Sequence, residues 1–113
     1  MNFKFPSSHR IRQRKEFEQA FKNKALTNKW FTIYSVRNNH EYARLGMIVS
    51  KRTMAKSVSR NYAKRLIRET FRLKANDLPA VDFFVRIRKN LTVELASEAK
   101  EALLNLLTGA KQL

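Results

Sequence analysis

Residues Lys51 to Lys74 read KRTMAKSVSRNYAKRLIRETFRLK, with nine basic residues and a single acid, Glu69. At roughly 100° per residue, Arg60, Asn61, Lys64, Arg65, Arg68 and Arg72 fall within an arc of about 140° of a helix. Tyr62, Ala63, Leu66, Ile67, Thr70 and Leu73 fill the opposite arc. One face asks for burial, and the other repels itself unless an anion covers it. A polyanion is the natural cover, with nucleic acid the first candidate.

On either side of this helix the period changes from 3.6 to 2. Residues 29–37 (KWFTIYSVR) are aromatic and β-branched and read as a strand. Alternation sets Trp30, Thr32, Tyr34 and Val36 on one face, and Phe31, Ile33 and Ser35 on the other. The turn chemistry of Asn38-Asn39-His40-Glu41 joins it to a second strand, residues 43–50 (ARLGMIVS), expected antiparallel to the first. Residues 81–88 (VDFFVRIR) form a later strand, with Val81, Phe83, Val85 and Ile87 alternating. Ser57 or Ser59 is expected to cap the basic helix, which ends near Ala75-Asn76-Asp77 because Pro79 cannot continue it.

A first helix is expected from His9 to Lys24, where Phe17 and Phe21 at i, i+4 stack on one face with Ala20 beside them. A last helix is expected over 92–107, with Glu94, Glu98 and Glu101 toward its amino end. Leu95, Ala99, Ala102, Leu103 and Leu106 make its apolar stripe, and Gly109 stops it. The order α-β-β-(β)-α-β-α predicts an α+β fold, a two-layer α/β sandwich of helices on a sheet. The chain reads as one RNA-binding domain over 1–113, with an extended arm at 1–8 and a tail at 108–113.

Composition sets the outer bounds. The 113 residues suit a single modest core, and 43% of them are hydrophobic, too many for a disordered basic tail. Twenty-four lysines and arginines against nine acids give a net charge of +15. With no cysteine, disulfides, thiolate metal sites and a cysteine nucleophile are excluded. No apolar run approaches the roughly 18 residues of a membrane span, and residues 1–6 lack the apolar centre of a signal peptide. The expected location is the cytoplasm, with no membrane partner.

No carboxylate pair, histidine cluster or phosphate-cradling glycine loop offers a catalytic constellation. His9 and His40 are far apart and read as surface residues. The acids are scattered, with no spacing for a protein metal cage, so any magnesium would take most of its ligands from phosphates. A DNA-binding helix-in-groove protein is disfavoured because no partner helix precedes residues 57–74 at helix-turn-helix spacing.

The run Gly46-Met47-Ile48-Val49-Ser50-Lys51-Arg52, followed by residues Ser57 to Glu69 (SVSRNYAKRLIRE), resembles the bacterial ribonuclease P protein component. That family carries a strand ending in a small residue, a basic pair, and then a helix bearing Arg-Asn-Arg-x-x-Lys-Arg-x-x-Arg. Arg10-Ile11-Arg12 with Phe17 and Phe21 resembles the family's first helix. Leu78 to Phe83 (LPAVDF) resembles the approach to its last strand. The likeness covers roughly residues 8–107.

The resemblance implies the protein subunit of a ribonucleoprotein endoribonuclease that removes the 5′ leader of precursor tRNA, with the RNA subunit as catalyst and magnesium as its cofactor. It implies that Arg60, Asn61, Lys64, Arg65 and Arg68 face the catalytic RNA, and Arg72, on the same arc of the helix, is expected to join them. It places the leader in a cleft formed by Phe17, Phe21 and Tyr34 with Arg12, Lys51 and Arg52. Single-strand grooves elsewhere pair aromatic stacking with nearby cations in the same way. It also implies a left-handed βαβ crossover around the basic helix, the ribosomal protein S5 domain 2-like fold, against the usual right-handed rule. The protein alone is expected as a monomer that does not bind DNA.

Tyr62 departs from the pattern by standing at the second motif arginine. It could stack on a base or sugar, or pack against Val58 and Leu66. The alternative function is that of a ribosomal or other structural RNA-binding protein.

Overall fold

The computed structural model describes residues 9–110. The expected arm at 1–8 and the end of the expected tail, 111–113, lie outside the described residues. In chain order the elements are α1 (Arg14–Ala20), β1 (Ala25–Thr27), β2 (Phe31–Arg37), β3 (Arg44–Ile48), α2 (Ser57–Lys74), β4 (Val81–Ile87) and α3 (Ala96–Ala110). A 3-10 turn at Ala75–Asp77 finishes α2 ahead of Pro79, and another at Val93–Leu95 leads into α3.

The four strands form one sheet in the order β1-β2-β4-β3. β4 pairs antiparallel with β2 and parallel with β3, so β3–α2–β4 is a parallel crossover. β2 and β3 run in opposite directions, as the turn between them suggested, but they are not neighbours. The later strand β4 is inserted between them. Being central, it is buried on both sides, with Phe83, Val85 and Ile87 on one face and Asp82 and Phe84 on the other.

α2 and α3 cover the first face. Their Ala63, Ile67, Phe71, Ala99, Leu103 and Leu107 close the main core against Phe31, Ile33, Leu45, Phe83 and Val85. Trp30 precedes β2 and joins this core, rather than following the strand alternation onto the face of Tyr34. Its indole Nε1 donates to Glu98 Oε2 of α3 at 2.7 Å. α1 sits on the opposite face in a smaller cluster of Ile11, Ala20 and Phe84, with Phe17, Tyr34 and Val36.

Several element ends differ from the sequence-based expectation. Residues 10–13 are not helical, because Ile11 N–H donates to Leu45 O at 2.7 Å and Arg10 bridges Leu45 in parallel. A backbone engaged by the sheet edge cannot also begin a helix, so α1 spans only seven residues. After α1 the chain forms β1, so the additional strand comes ahead of residues 29–37 rather than after the second strand. Asn28 makes its turn into β2, with Oδ1 accepting from Trp30 N–H and Phe31 N–H at 2.9 Å. Neither serine caps α2; its N-cap is Lys56 in extended conformation, with no side-chain bond. Gly109 does not stop α3, which continues to Ala110, a buried residue.

Candidate nucleic-acid interface

α2 buries Ala63, Ile67, Thr70 and Phe71. On the wheel Phe71 lies between Arg60 and Lys64, so the buried side is centred near Ile67 rather than opposite the basic arc. Leu73, expected inside, is 57% exposed. The arc of cations therefore begins at the margin of the core and runs out to solvent. Arg60, Lys64, Arg68 and Arg72 are half-buried, and Asn61 and Arg65 are exposed. Long basic side chains suit such a margin because their stems cover apolar surface while their heads stay in water.

Arg60 also holds the loop that precedes its helix. Its Nη1 donates to the carbonyls of Met54 at 3.0 Å and Ala55 at 2.8 Å. Both bonds leave from Nη1, and a guanidinium has further N–H donors to offer a phosphate. Upstream, Ser50 Oγ accepts from Thr53 N–H at 3.2 Å, shaping the turn that exposes Lys51 and Arg52.

Among the described residues, the ion pairs are Arg14–Glu18, Lys29–Glu98, Arg44–Glu16 and Arg44–Asp82. None of them involves a cation of α2, Lys51 or Arg52. Arg10 adds to the same field. Burial, and then the nearby charges of Arg68 and Arg12, hold its guanidinium below the usual arginine range. The parallel bridge to β3 thus carries Arg10 into the electrostatic range of α2, with Arg12 two residues further on.

The sheet's other face is ordered in rows across the strands. The first row joins Val36, Asp82 and Arg44. Arg44 forks Asp82 through Nε at 2.8 Å and Nη2 at 2.6 Å, and the same Nη2 reaches Glu16 of α1 at 2.7 Å. Its pKa is raised, chiefly by the hydrogen bond to Asp82. The second row runs Ala25, Tyr34, Phe84, Gly46. Phe21 meets Tyr34 edge-on at 5.3 Å, and Phe17 meets Phe84 edge-on at 4.9 Å. The i, i+4 phenylalanines therefore seat on two adjacent strands. The third row, Thr32, Arg86 and Ile48, leads toward Lys51 and includes the exposed cation Arg86.

Aromatic rings beside cations on one face, and a cation-rich helix on the other, form two surfaces suited to RNA. The family model for ribonuclease P matches residues 5–111.

The chain belongs to the ribonuclease P protein family.

A ribonuclease P protein component of Chromobacterium violaceum is 35% identical over 102 residues, covering 89% of this chain and 84% of that one. One from an Exiguobacterium species is 31% identical, covering 91% and 90%. Among solved structures, a Staphylococcus aureus RNase P protein mutant with defective mRNA degradation activity superposes with a TM-score of 0.81. It is 30% identical, with 92% of this chain and 89% of that one covered. The RNase P protein of Thermotoga maritima gives 0.73 at 33% identity, covering 92% and 96%. The α+β class expected from the sequence is the fold of these ribonuclease P proteins.

The structure brings together Arg60, Asn61, Lys64, Arg65, Arg68 and Arg72 along α2. It brings Phe17, Phe21 and Tyr34 together between α1 and the sheet. Arg52 lines a groove beside Asn61 and Arg65, on the α2 side, while Lys51 stands exposed on the turn between the two surfaces. Arg12 is exposed and lies, like Arg68, within electrostatic range of Arg10. Sequence reasoning missed Phe84 and Arg86. Their signal was the other half of the β4 alternation, Asp82-x-Phe84-x-Arg86, which matters only once β4 is central.

Proposed function

We propose that this ribonuclease P protein binds the catalytic RNA of its holoenzyme along α2 and holds the 5′ leader of precursor tRNA between α1 and the sheet. The observation that carries this is the set of α2 cations with no ion-pair partner among the described residues. Such a field is favourable only when phosphates complete it. Arginine serves here because its planar fork can donate two bonds to one phosphate, and Asn61 adds an amide for a 2′-hydroxyl or base edge.

On the other face, Phe21 and Tyr34 would stack leader bases, with Arg86 and Lys51 following the backbone. Neutralising charge at both surfaces draws substrate and catalyst together and lowers the magnesium concentration that folding and binding require. Among the described residues no three of His, Asp or Glu come together. The protein's own donors therefore do not fit a magnesium cage, and RNA phosphates are the ligands in this proposal. Hydrolysis of the phosphodiester belongs to the RNA, and the protein positions the strand.

The test is reconstitution. The protein is mixed with a bacterial ribonuclease P RNA and precursor tRNA at a magnesium concentration where the RNA alone is inactive. Leader cleavage should appear. Cleavage no faster than with RNA alone overturns the proposal.

A further inference from the structure

A groove of about 900 Å³ runs between the first half of α2 and segment 90–93, which leads from β4 toward α3. Among the described residues, three cations line it, Arg52, Lys56 and Arg65, and no acid does. The groove is not a simple phosphate track, however. Val58 and Val93 border it at 78% and 73% exposure. Tyr62 forms part of its wall, and together with Arg65 it also borders a second hollow beside Ala96 and Lys100. The ring is thus rooted against the core while standing between two open spaces.

Apolar rims, an aromatic wall, amides and unbalanced positive charge describe one kind of occupant. It must be flat and weakly polar, and it must be joined to anions on either side. We propose that this groove receives one unpaired nucleotide of the RNA bound along α2. Its base lies against Tyr62, its edge meets the amides of Asn61 and Asn90, and its flanking phosphates meet Arg52 and Arg65. The volume falls in the range of about 300–1,000 Å³ that takes ligands of this size. Charge complementarity selects a nucleic acid over an apolar or basic peptide. Tyrosine at this position replaces the guanidinium expected there with a stacking surface, so the site reads an unstacked base where a longer cation would bind phosphate.

The proposal rests on α2 being the RNA-binding face, and the experiment separates the two. The full-length protein is titrated with a bacterial ribonuclease P RNA across a salt series, and the RNA bases are probed chemically with and without protein. One unpaired nucleotide should become protected by the wild type. Tyr62→Ala should weaken binding about 10-fold, restore that nucleotide's reactivity, and leave the salt slope unchanged, since no phosphate contact is lost. Tyr62→Phe keeps the stack and should keep the protection. Val93→Asp changes an exposed position outside the core and should abolish protection in a fully folded protein. Wild-type affinity and protection in both Tyr62→Ala and Val93→Asp would overturn the groove proposal. If Arg65→Ala still weakens binding and lowers the salt slope by about 1, the groove alone has failed. A wild-type protein that does not bind the RNA removes the reading of α2 as well.

Discussion

Phe17 occupies the space that any side chain on Gly46 would need. A methyl group there would lie 2.9 Å from Phe17 Cζ and 2.8 Å from Phe84 Cδ2. Phe84 is fully buried and cannot retreat, so α1 would have to lift off the sheet. Gly46→Ala should therefore cost about 1–3 kcal/mol of stability. It should reduce affinity for leader-bearing precursor tRNA more than affinity for the catalytic RNA. Melting temperature and two binding titrations check this, and a variant indistinguishable from wild type in all three would show that Phe17 is not seated on Gly46.

Arg60 and Arg65 lie on one helix but answer to different forces. Arg60 ties the carbonyls of Met54 and Ala55 to α2, whereas Arg65 is exposed and makes none of the described ion pairs. Arg60→Ala should lower stability by about 1–2 kcal/mol and weaken RNA binding as well. Arg65→Ala should leave the melting temperature nearly unchanged while weakening RNA binding several-fold. Thermal unfolding alongside RNA titration distinguishes them, and equal loss of stability in both would remove the structural role assigned to Arg60.

The long elements were legible because their periods are strong. α2, α3, β2, β3 and β4 each lie close to where alternation or the helical wheel set them. β1 was not legible as such: it has three residues, none of them buried, and only the turn at Asn28 announces it. The early end of the first helix was hidden because Leu45, more than thirty positions away, takes the Ile11 amide. For the site, the charges of α2 were readable from composition and spacing alone. The row Tyr34–Phe84–Gly46 was not, because it depends on β4 entering between two strands that are consecutive in sequence. Phe71 shows the limit of the wheel itself, since packing against Phe83, not the count of apolar residues, sets which side of a helix turns inward.

Arg44 ties three elements together through Asp82 of β4 and Glu16 of α1. Asp82 also accepts from Asn38 Nδ2 at 2.7 Å, so its carboxylate orders the turn after β2. Asp82→Asn leaves the half-buried guanidinium with a weaker acceptor and should destabilise the fold by about 1.5–3 kcal/mol. The Arg44 pKa is raised on folding, so its contribution is fully present below the unfolded arginine value and is lost only above it. Stability from this fork should consequently persist from about pH 7 to about pH 10, well under the arginine range. Unfolding curves of wild type and Asp82→Asn across that interval test both points. A difference between them that shrinks as pH rises would contradict the charged fork.

Phe21 is the better probe of the leader cleft, although Phe17 shares its helix face. Phe17 is half-buried over Phe84 and Gly46, and removing it opens a gap in the smaller core. Phe21 is 47% exposed and touches Tyr34 edge-on, which leaves ring surface open for a base. Phe17→Ala should therefore lower both the melting temperature and leader affinity, by about 2 kcal/mol or more in stability. Phe21→Ala should weaken leader binding by about 1–3 kcal/mol with little change in melting temperature. The clean comparison is precursor tRNA against mature tRNA: the Phe21→Ala loss should be confined to the substrate that carries a leader. An equal loss with both tRNAs would place Phe21 outside the leader path, and would leave Tyr34 and Arg86 as the positions to test next.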